Sequence, residues 1–244
     1  LINLDGAVFG SSGAAKHMSK TRARNMEKRR QRILDAARAI IVENGVDGLT
    51  TRGLAEAAGV TAPTLYNLIG DKDAIIRTMI GDGVERVWAK LDFDSCQTPL
   101  DMAEMIIETA YAETLTDQDY YRAVSLATDR VPGAYAARGD LAADHTVAGQ
   151  RSVDMAAKAC RAAIEQGYLA GRISAETLGL EMFISYRGHV RDWAQAIISN
   201  EECRRRQLSG FYLVMAADAT PEFREVLLGK IEALQTDRAA SKTA

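Results

Sequence analysis

Gly59 and Pro63 constrain this chain more than any other pair of residues. They stand four positions apart inside a stretch, TTRGLAEAAGVTAPTLYNLIGDKD over residues 50–73, that otherwise reads as helix. Thr50 can cap a short helix, its hydroxyl accepting a backbone N–H. Leu54, Ala55 and Ala58 then share one face of two turns. Gly59 supplies the left-handed backbone that ends such a helix and that other residues adopt at a cost. Thr61 caps a second helix, and Pro63 falls in its first turn, where a missing N–H does no harm. Leu65 and either Leu68 or Ile69 face inward. Gly70 closes this helix and Asp71 caps the next. Two short capped helices joined by a tight corner make a helix-turn-helix.

The remainder of the chain also reads as helix. Only four Pro occur in 244 residues, apolar content is 47%, and few runs alternate apolar and polar residues. The length suffices for a sizeable core, so the fold class expected is all-α. The first helix is expected over 28–44, with Ile33, Ala37, Ile40 and Ile41 on one face and Asn44-Gly45 as its stop. After the motif, helices are expected over 72–90, 98–115, 118–128, 143–170, 174–199, 202–217 and 221–235. Residues 129–142 (DRVPGAYAARGDLA) read as a loop. The helix from residue 174 carries Leu178, Met182, Ile184, Tyr186, Val190, Trp193 and Ile197. Phe211 to Met215 follow as FYLVM. This is more apolar surface than a lone surface helix needs. It fits a dimer interface over about 174–217, and an internal core explains it nearly as well.

Charge divides the chain. Residues 16–80 hold 12 Lys and Arg against 7 Asp and Glu, whereas residues 81–244 hold 18 against 25. A basic front on an acidic body suggests that one end faces a polyanion. Residues 1–20 open without Met and contain GSSG. They are expected to be a disordered leader, or sequence ahead of a start at Met18 or Met26. Three widely spaced cysteines, Cys96, Cys160 and Cys203, form neither a disulfide framework nor a zinc spacing, and fit packing residues in a reducing, cytoplasmic compartment. No run approaches a membrane span. His17, His145 and His189 are scattered, and no nucleophile elbow or phosphate-binding loop is present. The sequence therefore points away from an enzyme, and to no metal or cofactor.

The segments ILDAARAIIVENG and LTTRGLAEAAGVTAPTLYNLIGDKDAII, within residues 32–80, resemble the N-terminal domain of TetR-family transcriptional regulators. The ordered string A-x-x-A-G-V-T-x-x-T-L-Y followed by D-K-D carries the resemblance, which covers about a fifth of the chain. It implies a three-helix DNA-binding domain over 26–80, with the helix-turn-helix at about 50–69. It further implies a larger helical ligand-binding and dimerisation domain over 81–240, in a homodimer. Two positions depart from the family pattern. Ile69 stands where a bulky aromatic is usual, and Leu68 where a His or another polar residue is frequent. Gly53 also weakens the first short helix, by up to about 1 kcal/mol relative to Ala.

In a helix-turn-helix the second helix enters the major groove by its N-terminal end. Here that end is Thr61, Ala62, Pro63 and Thr64, with Asn67 one turn on. Hydroxyls and methyls can read base edges, but no Arg or Lys is present to fork onto guanine. Phosphate contacts are expected from Thr50, Thr51, Arg52, Tyr66 and Lys72, with Arg22, Arg24, Lys28 and Arg29 ahead of them. Tyr66 as a core aromatic and Lys72 as a free surface lysine are the plainer readings. Candidate ligand-binding residues are Met105, Tyr111, Tyr121, Met155, Phe183, Tyr186, Arg187, His189 and Trp193. For the apolar ones ordinary core is the commoner reading. Arg187, His189 and Arg191 form either a solvated face or the polar end of a pocket for an acidic ligand. The function expected is a ligand-responsive repressor that binds a near-palindromic site in double-stranded DNA and is released by a small molecule. The alternative is an all-α binding or carrier protein whose helix-turn-helix no longer reads DNA.

Overall fold

The computed structural model describes residues 11–131 and 147–243, with side chains over 21–131 and 148–237. The fold is all-α. Ten α-helices occur among the described residues, with a single isolated bridge between Leu169 and Ala219. Two compact units divide along the chain between Ile75 and Ile76.

The first unit holds α1 (Ser11–Asn44), a 3-10 turn (Val46–Gly48), α2 (Thr51–Ala57), α3 (Ala62–Leu68) and the start of α4 (Lys72–Trp88). α1 begins well before the expected residue 28, so part of the stretch expected as leader is continuous with it. Residues 1–10 lie outside the described ones. Ile33, Leu34, Ala37 and Ile41 recur at helical spacing on α1 and are buried, as are Leu49, Leu54, Ala55, Ala58, Leu65 and Ile75. Leu54 and Leu65 have no exposed surface. Each contributes about 1.5–3 kcal/mol by leaving water, enough to hold helices of seven residues that could not persist alone.

The second unit contains α5 (Pro99–Leu115), α6 (Gln118–Thr128), α7 (Val147–Glu165), α8 (Ala175–Ala194), α9 (Asn200–Ala216) and α10 (Pro221–Thr243), besides the remainder of α4. Each start has a local cause. Thr98 and Asp101 form a capping box before Pro99, while Asp117, Ser174 and Ser199 cap α6, α8 and α9. α7 presents Ala156, Ala157, Ala159, Cys160 and Ala163, all buried, and α8 lies close against it. A Cβ on Gly179 would come within 2.7 Å of the Ala157 backbone nitrogen, so only glycine permits this approach.

Several expected boundaries shift. α7 ends at Glu165 rather than 170, because Gly167 (φ 77) turns the chain and Tyr168 N–H bonds back to the Ala163 carbonyl at 2.9 Å. α8 ends at Ala194 rather than 199. Ala196 takes φ 59 there, and Ile197 N–H reaches the Asp192 carbonyl at 2.9 Å. Both stops are Schellman turns. α10 runs on past 235 to Thr243. Most of the expected loop over 129–142 falls in 132–146, outside the described residues. Asp218, 3% exposed, ties the turn after α7 to the turn after α9. Its carboxylate accepts from the N–H groups of Gly171 (2.8 Å) and Arg172 (3.1 Å), and its carbonyl accepts from Ala170 N–H.

Candidate nucleic-acid face and ligand cavity

The corner between α2 and α3 is built as its residues dictate. Thr50 accepts the Gly53 N–H at 3.2 Å. Gly59 has φ 63, its N–H bonds to the Glu56 carbonyl and Val60 N–H bonds to the Ala55 carbonyl, which completes a Schellman stop. Thr61 accepts the Thr64 N–H at 3.3 Å, and the two hydroxyls bond each other at 2.8 Å. Asp71 accepts the Ala74 N–H at 2.8 Å and caps α4, of which Lys72 is the first residue. Gly53 serves the cap on α2: a Cβ there would sit 3.0 Å from the Thr50 hydroxyl oxygen.

Only Leu65 of α3 is buried. Ala62, Pro63, Tyr66 and Asn67 are exposed, as are Thr61, Thr50, Thr51 and Arg52. Tyr66 keeps 64% of its surface in water, so it is no core aromatic. Arg22, Arg24, Lys28 and Arg29 are exposed on α1. The face is hydroxylic, apolar and aromatic, and α3 itself carries no cation. Thr61 spends its hydroxyl on its own helix end, which leaves Ala62, Pro63 and Asn67 as the open surface of the first turns.

In the second unit α4 to α9 enclose a cavity of about 360 Å³. Val84, Ile106, Met155, Phe183, Trp193 and Phe211 give it a mainly apolar wall. One side holds the Glu113 carboxylate, which accepts from Arg86 Nε at 2.7 Å, from Lys90 Nζ at 2.5 Å and from the Tyr121 hydroxyl. Arg86 also donates to the Tyr121 oxygen at 2.8 Å. Burial pushes the Glu113 carboxyl up, but the hydrogen bonds from Lys90, Tyr121 and Arg86 together outweigh it and hold the group at about 2. Burial and the Glu113 partner push the Tyr121 hydroxyl up to about 12. Among the described residues no cluster of His, Cys, Asp and Glu could hold a metal, and no helix is long and apolar enough to cross a membrane.

Residues 33–79 match the family described as bacterial regulatory proteins, tetR family. This segment is a TetR-family DNA-binding domain. Over 47 residues the chain is 45% identical to the class D tetracycline repressor of Escherichia coli, which is 19% of this chain and 22% of that protein. Over 65 residues it is 38% identical to the transcriptional repressor KstR of Mycolicibacterium smegmatis, 27% of this chain and 32% of the other. The chain thus spans between a fifth and a third of the length of these curated relatives. The solved structure of SmeT, repressor of a multidrug efflux pump of Stenotrophomonas maltophilia, has the same fold. The two superpose with a TM-score of 0.58 at 19% identity, over 80% of this chain and 92% of SmeT.

The expected ligand residues divide at the cavity. Tyr111, Tyr121, Met155, Phe183, Tyr186, Arg187 and Trp193 lie on the cavity wall. Met105 does not; its sulfur lies 3.9 Å from the Cys96 thiol. His189 does not line it either, and burial, then Arg206, lowers its pKa. Arg191 lines the cavity but pairs with Asp129 at 3.1 Å, so that wall is not a bare cationic patch for an acid. Glu113 and Gln207 also line the cavity, though neither is among the expected residues. Both are polar positions on otherwise apolar helix faces: Glu113 follows Ile106 and Ala110, and Gln207 lies between Cys203 and Phe211. A polar residue interrupting a buried stripe was the available signal.

Proposed function

We propose that the protein is a cytoplasmic transcriptional repressor that binds a near-palindromic DNA site as a homodimer and is released by a small molecule. The observation that carries this reading is the exposed α3 face, with Ala62, Pro63, Tyr66 and Asn67 presented and Leu65 anchoring the helix beneath them. Thr61, Ala62, Pro63, Thr64 and Asn67 would meet base edges in the major groove. Thr50, Thr51, Arg52, Tyr66 and Lys72 would meet phosphates. The repressor names of the matched relatives support the negative sense of regulation.

Dimerisation over about 174–217 is supported by Ile184 and Leu213, large apolar side chains left 51% and 57% exposed on α8 and α9. A two-fold dimer would place its recognition helices in successive major grooves, about 34–36 Å apart. A ligand in the cavity releases DNA if it binds more tightly to a dimer with a different spacing. Operator DNA then weakens ligand binding by the same factor. The test is selection of random duplexes on the immobilised protein. Enrichment of a two-fold repeat supports a sequence-reading dimer. Recovery of duplexes with no shared sequence favours the carrier alternative, for which the absence of Arg and Lys from α3 is the argument.

A further inference from the structure

α9 turns Cys203, Gln207 and Phe211, every fourth residue, onto the cavity wall. Cys203 and Phe211 suit an apolar wall, whereas Gln207 is an amide only 4% exposed. Polar groups so far from water ordinarily have partners, and several other polar groups of this wall do. Tyr111 donates to Glu201, Thr114 to the Ala110 carbonyl and Ser152 to the Ala148 carbonyl. Asn200 is held between Trp193 and Gln118. Among the described residues Gln207 has no such side-chain partner. Nor is its amide sealed in: among the described residues the buried polar atoms wholly closed off without a partner are the Nε atoms of Arg151 and Arg205. The amide therefore keeps open surface, and the cavity is what the residue faces.

We infer that Gln207 is the hydrogen-bonding anchor for a neutral, chiefly apolar ligand that carries a carboxamide or similar carbonyl group. The inference rests on the reading of the cavity as an effector site. A primary amide offers donor and acceptor side by side in one plane, which a second amide matches with two parallel bonds. Phe183, Trp193 and Phe211 supply flat apolar surface for the rest of the molecule. The anionic groups on the wall already have partners, Glu113 in Arg86 and Lys90 and Asp129 in Arg191. The Arg187 guanidinium stands 5.8 Å from the Phe183 ring centre. An ionic ligand would lose its hydration without gaining a free opposite charge among these pairs.

The experiment is calorimetric titration of the full chain with 2-naphthamide, 2-naphthoate and 2-naphthylmethylammonium, which share one ring system. The amide is expected to bind one per chain, at least about tenfold tighter than either ion. Gln207→Met keeps the volume and removes the amide. It should weaken naphthamide about tenfold, with helix content unchanged by circular dichroism. Gln207→Glu should shift the preference toward the ammonium probe. Naphthamide affinity unchanged in Gln207→Met overturns the anchor role but leaves the effector reading standing. Naphthoate binding as tightly as the amide overturns the neutral class alone. Binding of none of the three overturns both. Should Gln207→Met fail to fold, the order of the three probes on the wild type and the response of Gln207→Glu still decide the matter.

Discussion

Glu113→Gln isolates the polar cluster beside the cavity. The wild-type carboxylate is 6% exposed and accepts from Arg86, Lys90 and Tyr121. It is held at about 2 instead of the ordinary 4.5. At about 1.4 kcal/mol for each tenfold change in proton affinity, that preference stabilises the folded chain by about 3 kcal/mol at neutral pH. This is a ceiling, because Arg86 and Lys90 are 38% and 53% exposed and water screens them. The pH dependence has a definite sign. Between 4.5 and 2 the unfolded chain has taken up a proton that the folded chain refuses. The stabilisation is thus complete above about pH 4.5 and is lost as the pH falls toward 2. Glutamine has the same shape and no titrating proton. In urea unfolding at pH 7 the variant should be less stable by up to about 3 kcal/mol, and the gap should close as the medium is acidified through that window. An equal gap at pH 7 and pH 3, or none at pH 7, would refute the assignment.

Three further substitutions test local features. Gly59→Ala meets no atom within 4 Å but must take φ 63; urea unfolding should show a loss of about 1 kcal/mol. Ala196→Gly removes a non-glycine residue from φ 59, and a gain of up to about 1 kcal/mol is expected, read as a rise in melting temperature. Asp218→Ala strands the N–H groups of Gly171 and Arg172. It should cost about 2–4 kcal/mol and speed hydrogen exchange at those two amides.

The helix-turn-helix was legible because its determinants are local. Gly59, Pro63 and the capping Thr50, Thr61 and Asp71 each act within a few residues of their own position. The end of α8 was not legible, because Ala196 occupies a conformation for which its side chain gives no signal. Long-range pairing hides for a different reason. Glu113 meets Lys90 and Arg86 across 23 and 27 residues, and nothing in the sequence says which cation faces which acid. Of the expected ligand residues, the aromatic and Met positions on α5 to α8 came together at the cavity except Met105, which turns toward Cys96. A helical periodicity places a residue on a face but does not say whether that face closes on core or on empty space.

The most direct test of the account is fluorescence anisotropy of the purified protein on the DNA upstream of its own gene, beside a scrambled duplex of equal length, at two salt concentrations. The account predicts saturable binding at least about 10³ tighter than to the scrambled duplex, with affinity falling steeply as salt rises, as contacts from cations and helix ends to phosphates would require. Equal and weak binding to both duplexes, and to every duplex recovered by selection, would contradict it.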